Sequence, residues 1–265
     1  MPSLNKVAVV TGASKGIGFA TAKLFAENGY IVYGLSRSGK SCEGVTGVAV
    51  DVTDAKKLGK VYAEIFEKHK TFDVLVNNAG LGISGAVEFS TDEQVEKILS
   101  LNVCALEKSC RLALKYLRQS KGAIINLSSV AGLLPIPFQT YYTLTKSAVL
   151  NFSRALNLEV KPLGVKVVAV LPGDTKTGFT AARDKNQTGE EVYGDRIARS
   201  VAKMEKDETN GVPPEKVAKV IVRAAEKRYP KPYIVVGIDY KFLVVLSRLL
   251  PTRFVDWILY LMYAK

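Results

Sequence analysis

Two side chains able to exchange a proton with an alcohol or a carbonyl stand four residues apart in Tyr142-Thr143-Leu144-Thr145-Lys146. On a helix that spacing puts them on one face, about 40° apart around the axis. An ammonium beside a phenol favours the phenolate and draws the tyrosine toward the working pH. Bringing a phenol from about 10 to about 7 takes about 4 kcal/mol. One partly solvated ammonium is too weak to supply all of it, so a second positive group is implied. Tyr and Lys also meet at this spacing by chance on surface helices, so the surrounding elements must decide whether the pair is a site.

Those elements alternate between strand and helix patterns. Residues 6–10 form a short apolar strand, followed by Thr11-Gly12-Ala13-Ser14-Lys15-Gly16-Ile17-Gly18. Beyond it, Ile17, Ala20, Thr21, Leu24 and Phe25 make the stripe of a helix packed on a sheet. Strand, glycine-rich turn and helix together make a phosphate cradle. The glycines let backbone approach the ligand, and the helix amino terminus offers free N–H groups to an anion. The spacing is G-x-x-x-G-x-G rather than the more familiar G-x-G-x-x-G.

A second strand, 30–35, ends at Ser36-Arg37-Ser38. A site for NAD wants a carboxylate about here to accept from the ribose 2′-hydroxyl. This chain offers a guanidinium and two hydroxyls, groups suited to a 2′-phosphate, with Lys15 adding charge nearby. NADP(H) is therefore the expected cofactor. A third strand, 47–50, follows after a link too short for a full crossover helix. It closes at Asp51-Val52-Thr53, where an adenine contact belongs. A fourth, 72–76, runs into Asn77-Asn78-Ala79-Gly80, small polar residues at a strand end where an open α/β sheet binds ligand.

Val95, Ile98 and Leu99 begin a helical stripe whose next position is Asn102. A polar residue there must find hydrogen bonds. It either fastens the helix to neighbouring backbone or serves a site. The strand 123–127 leads to Ser128-Ser129 and an apolar loop, 130–138, that is either a pocket wall for a greasy ligand or a buried connection. After the strand 165–171 and Pro172-Gly173, the polar segment 178–211 breaks the alternation. Connections of that length act as lids or are disordered. A helix, a last strand over 233–236 and an apolar tail, 242–265, complete the chain. The tail's charge-free runs are too short to cross a bilayer. It would cover the pocket, join subunits or touch a membrane surface, in that order.

The chain has 265 residues, 48% hydrophobic and 23% charged, which fits one ordered domain with a substantial core. Three scattered cysteines suggest no disulfide framework, and a single histidine argues against a histidine-clustered metal site. The amino end lacks a signal-peptide apolar region. The expectation is a cytoplasmic protein, with membrane association through the tail left open. The net charge of +12 suits phosphate-bearing cofactors, acidic partners or an anionic membrane. No aromatic-interleaved basic motif points to nucleic acid.

Together, residues 5–237 resemble the short-chain dehydrogenase/reductase family. The match joins T-G-x-x-x-G-x-G (11–18), N-N-A-G (77–80), Asn102, Ser129, Y-x-x-x-K (142–146) and P-G (172–173) in order. The family's serine stands thirteen residues before its tyrosine, which selects Ser129 over Ser128. Tyr142 is selected over Tyr141 because it stands four before Lys146. The resemblance implies an α/β Rossmann-type fold. It would be a doubly wound parallel sheet in a single domain (1–241), with 178–211 as substrate lid and 242–265 as apolar C-terminal extension.

The same resemblance implies that Tyr142 exchanges a proton with the substrate oxygen and Ser129 hydrogen-bonds it. Lys146 would lower the tyrosine pKa and hold the nicotinamide ribose, and Asn102 would hold a water on the lysine. The charged nicotinamide would be the second positive group. Nucleotide contacts are implied at Gly12, Ser14, Lys15, Gly16, Ile17, Gly18, Ser36, Arg37, Asp51, Val52, Asn78, Ala79, Gly80, Pro172, Gly173, Thr175 and Thr177, together with Tyr142 and Lys146. The tail and the 130–138 loop look more like the hydroxysteroid and retinol dehydrogenase branch than the oxoacyl-carrier-protein reductases. Lys176 would face an anionic substrate group. The expected activity is NADP(H)-dependent interconversion of an alcohol and a ketone or aldehyde on a lipophilic substrate (a steroid, retinoid or lipid carbonyl) by a homo-oligomer. An oxoacyl-carrier-protein-type reductase and a dinucleotide-binding sensor or scaffold without turnover are the alternatives.

Overall fold

The computed structural model describes residues 6–265. The reading of the amino end falls largely on residues 1–5 and lies outside the described residues. The first part of the chain runs β1 (Val7–Thr11), α1 (Gly16–Glu27), β2 (Ile31–Ser36), β3 (Val45–Ala49), α2 (Ala55–His69), β4 (Val74–Asn77), β5 (Ile83–Ser84) and α3 (Asp92–Leu99). Next come α4 (Leu106–Ser120), β6 (Ala123–Leu127), α5 (Thr140–Val160), β7 (Lys166–Pro172), β8 (Asp184–Lys185) and α6 (Glu190–Tyr193). The last part is α7 (Arg196–Thr209), α8 (Pro214–Glu226), β9 (Tyr233–Val236), α9 (Ile238–Leu249) and α10 (Thr252–Tyr263).

Seven strands pair in one parallel sheet ordered β3-β2-β1-β4-β6-β7-β9. Its central strands are apolar without alternation because helices cover both faces; β1 and β6 are buried at every residue. On one face α2, α4 and α5 bring Leu58, Tyr62, Leu117 and Val149 onto Val9, Leu75 and Ile124. On the other, α1 and α8 bring Phe25, Val217 and Ile221 onto Val10, Val76 and Ile125. This is the single-domain doubly wound sheet that the motifs imply. The link from β2 to β3 carries no helix, as its length requires.

Three expectations change in detail. The segment 178–211 is mostly ordered, since it contains β8, α6 and the long helix α7. Ile197, Val201 and Met204 line one buried stripe of α7 and explain why it folds. The 130–138 loop is largely covered, with Val130 and Leu134 packed against Val244 of α9 and Leu259 of α10. Finally, the helix expected to run from Val95 through Asn102 is interrupted: Ser100–Ala105 form a π turn between α3 and α4.

Candidate active site

Strand order reverses between β1 and β4, and ligands of open α/β sheets bind at such a switch point. The glycine turn leaves β1 there, and the Asn77–Gly80 stretch leaves β4 beside it. Asn78 fastens the two together. Its backbone N–H donates to Thr11 Oγ1 at 3.0 Å, and its Nδ2 donates to the carbonyls of Thr11 at 3.0 Å and Gly12 at 3.2 Å. The closeness explains the glycines. A Cβ on Gly18 would lie 2.3 Å from the Gly12 oxygen, and Gly12 itself holds φ at +67°. The α1 amino terminus has no side-chain cap, so its N–H groups face the turn. Thr177 stands across from Gly16, 3.4 Å from where a Cβ would be. A narrow backbone cradle opposite a hydroxyl fits a pyrophosphate.

At the far end of β2, Ser36 and Ser38 hold their hydroxyls 3.3 Å apart, and Arg37 is exposed beside them. Asp51 lies two residues beyond the neighbouring strand, β3. The Thr53 backbone N–H and hydroxyl, and then the Arg37 guanidinium, hold its carboxylate below the usual range. Lys15 is exposed and Val52 is buried. Ser14 and Ile17 lie partly buried in the turn, and Ala79 donates its N–H to Thr11 Oγ1 at 3.1 Å. Thr175 is buried with its hydroxyl donating to the Gly173 carbonyl at 3.0 Å. Lys176 is exposed.

Asn102, Ser129, Tyr142 and Lys146 converge at the carboxyl end of β6. Lys146 is buried, and its Nζ donates to the Leu127 carbonyl at 2.9 Å and lies 5.5 Å from the Tyr142 ring centroid. The Ser128 hydroxyl donates to the Lys146 carbonyl at 2.7 Å, whereas Ser129 stays partly exposed beside Tyr142. That difference favours Ser129 as the polar partner of a substrate. Gly80 lies close to both Asn102 and Lys146, with room for a Cβ only 3.2 Å from Asn102 Oδ1. Asn102 sits on the π turn and clamps Leu81, taking its N–H at 2.9 Å and giving to its carbonyl at 2.9 Å. It also donates to Thr145 Oγ1 at 3.1 Å. The reading of Asn102 as a fastener to neighbouring backbone is therefore realised, on a distorted turn of the sort often found at functional sites.

The electrostatics show how much help the phenol needs. Tyr142 is half-buried, and desolvation draws its phenol upward, toward about 12, with the neighbouring Ser129 hydroxyl only partly offsetting it. Lys146 does not outweigh that burial. Its own ammonium is drawn down from 10.5 to about 8 by desolvation. That drop corresponds to about 3 kcal/mol against the charged form at neutral pH. Replacing Lys146 with Met forfeits one hydrogen bond, worth about 1 kcal/mol, and leaves the Leu127 carbonyl short of a partner. Lys146→Met is expected to raise stability by about 1 kcal/mol at pH 7 while removing turnover. The cost of the charge is present below pH 8 and fades as pH rises toward 10.5, so the variant's advantage should vanish there. Urea unfolding at both ends of that window checks it.

Other groups at the site carry no motif. Phe179 places its ring 5.8 Å from that of Tyr142. Arg183 is 5% exposed and pairs with Glu208 of α7, which also accepts from the Thr180 hydroxyl. Tyr240 of α9 packs on Gly173, where a Cβ would meet its ring at 2.1 Å, and donates to Asp174. Beneath the strand ends, Tyr62, Ser109, Asn77, Asn126 and Ser153 form a buried hydrogen-bonded chain. Asn77, read from the sequence as part of a ligand-binding strand end, is instead buried in that hydrogen-bonded chain.

A family model described as short chain dehydrogenase matches residues 6–188. The chain is 38% identical over 264 residues to a 3-ketodihydrosphingosine reductase of Bacteroides thetaiotaomicron, covering 98% of each. It is 31% identical over 239 residues to the NADPH-dependent 1-acyldihydroxyacetone phosphate reductase of Saccharomyces cerevisiae, covering 82% of this chain and 77% of that one. Among solved structures, a short-chain dehydrogenase from Streptomyces avermitilis superposes with a TM-score of 0.83 at 27% identity, covering 94% of this chain and 93% of that one. The expected placement in the hydroxysteroid and retinol branch finds no support in these relatives.

Proposed function

The chain belongs to the short-chain dehydrogenase/reductase family, and on that premise we propose that it is an NADPH-dependent reductase of long-chain amino ketones, with 3-ketodihydrosphingosine the first substrate to try. The observation that carries this reading is the surroundings of Tyr142. An apolar ring, Phe179, faces it, and the charges of Glu208, its partner Arg183 and Asp174 all reach the phenol. Asp174, held by Tyr240 with no cation paired to it among the described residues, is the carboxylate placed to meet an amine. A ketone flanked by an alkyl chain and an ammonium suits such a wall. The relative that aligns from end to end acts, by its name, on that kind of ketone.

Tyr142 keeps its proton at neutral pH and would give it to the carbonyl oxygen as that oxygen becomes an alcohol. Ser129 would hydrogen-bond the same oxygen. Lys146 would hold the ribose of the nucleotide, the glycine turn its pyrophosphate, and Arg37 with Ser36 and Lys15 its 2′-phosphate. When bound, the nucleotide supplies the hydride. Asn102 positions the Leu81 backbone and, through Thr145, the helix carrying the tyrosine and lysine.

The test is NADPH oxidation with 3-ketodihydrosphingosine, its analogue lacking the amine, a 3-oxoacyl thioester and a steroid ketone. The amino ketone is expected to exceed the analogue by about tenfold in kcat/KM, the order of one well-placed charged hydrogen bond. Equal turnover of the amino ketone and its amine-free analogue removes the carboxylates from the reading. Turnover confined to the thioester or the steroid overturns it.

A further inference from the structure

We infer that α9 and α10 form a docking face for an anionic lipid bilayer and lie on its surface. Each helix is apolar on two sides. One side is buried against the domain, through Val244 and Leu259. The other faces outward. On α9, Ile238, Phe242, Val245 and Leu249 recur at helical spacing and are 83%, 68%, 57% and 77% exposed. On α10, Phe254 and Trp257 stack with ring centroids 5.7 Å apart, and Leu261 continues their stripe. A helix that only covered a pocket would turn polar residues outward, whereas one that is apolar on both sides buries its second side in something.

Charge selects the occupant. Lys241, Arg248 and Arg253 are interleaved with the outward apolar residues, against Asp239 and Asp256. Arg248 donates to the Tyr233 hydroxyl and lies 5.6 Å from its ring, which ties α9 to the start of β9, just after Arg228 and Lys231 in the chain. There the exposed Tyr229 lies under the Arg228 guanidinium, 5.2 Å from ring to carbon. A second copy in a symmetric contact would bring the same three cations against two carboxylates, so the seam would keep an excess of positive charge. Anionic headgroups attract it by about 1 kcal/mol for each cation near the surface. Amphipathic helices with cations and a tryptophan rest at that depth, and no helix among the described residues is long and apolar enough to cross.

The inner side of the same helices is the cover of the site, through Tyr240 on Gly173 and Tyr263 on Asp207. With the lipid-ketone reading above, docking would bring the cover to the surface where the substrate resides. The docking itself does not depend on that reading.

Trp257 is the chain's sole tryptophan, so its emission reports on this face alone. The full chain is titrated with vesicles of phosphatidylcholine, with and without phosphatidylglycerol. Emission and co-sedimentation are followed with no substrate present. The expected result is a blue shift of Trp257, quenching by bromine-labelled lipid, and binding at least about tenfold tighter to the anionic vesicles, falling as salt rises. A Phe242→Glu, Leu249→Glu double variant should lose vesicle binding about tenfold or more while still oxidising NADPH with a short water-soluble ketone. Wild-type chain that stays in the supernatant with Trp257 unshifted overturns the proposal. So does a dimer that dissociates in the double variant while vesicle binding is unchanged.

Discussion

Tyr142→Phe is expected to lower kcat by about 10³-fold, near the middle of the range for loss of a general acid, while NADPH binding changes little. The substitution removes one oxygen and leaves the ring against Phe179, so the fold has no reason to move. The loss corresponds to about 4 kcal/mol of transition-state stabilisation. Because burial holds the phenol near 12, the proton is available throughout the physiological range. The rate of reduction should therefore be limited from the alkaline side, where the phenol and Lys146 lose their protons. Single-turnover NADPH oxidation and nucleotide titration separate the two effects. A variant that keeps a tenth of wild-type kcat would take the proton transfer away from Tyr142.

Arg37→Asp is expected to reverse nucleotide preference. A charge-assisted contact to a phosphate is worth about 1.5–3 kcal/mol, and a carboxylate in its place adds repulsion. The ratio of NADPH to NADH affinity should fall by about 10²–10³-fold. The site amplifies the change because Asp51 already places one carboxylate near Arg37. Without the guanidinium, a second acid beside it makes the pocket hostile to a 2′-phosphate and receptive to a ribose hydroxyl. Kd values for both nucleotides, measured with Tyr142 intact, give the answer. An unchanged ratio removes Arg37 from the nucleotide site.

The legible parts of the molecule are those whose chemistry is fixed by backbone. Gly12 and Gly18 must be glycine because a carbonyl and Asn78 press on them, so the turn could be read without coordinates. The sheet was legible for a related reason, since strands buried on both faces lose alternation. The π turn was hidden because a stripe through Val95, Ile98 and Asn102 fits an uninterrupted α-helix equally well. Arg183 and Glu208 lie 25 residues apart in a polar stretch, where hydropathy assigns both to solvent. The amount of burial opposing Tyr142 was hidden for a different reason. Local spacing reveals the ammonium, but desolvation depends on residues distant in sequence, such as Phe179, that pack on the ring.

The ring of Tyr240 over Gly173 has a consequence for synthesis. Everything from Thr11 to Thr177 that shapes the crevice leaves the ribosome before α7, and α9 follows later still. In a nascent chain the residues of the nucleotide cradle are therefore all outside the ribosome while the roof is still being translated. Until the last two helices emerge, the side of the 130–138 loop that meets Val244 and Leu259 faces water. A ribosome stall in that interval would present a greasy, half-roofed intermediate to chaperones, and the docking of Val244 and Leu259 is the event that ends its exposure.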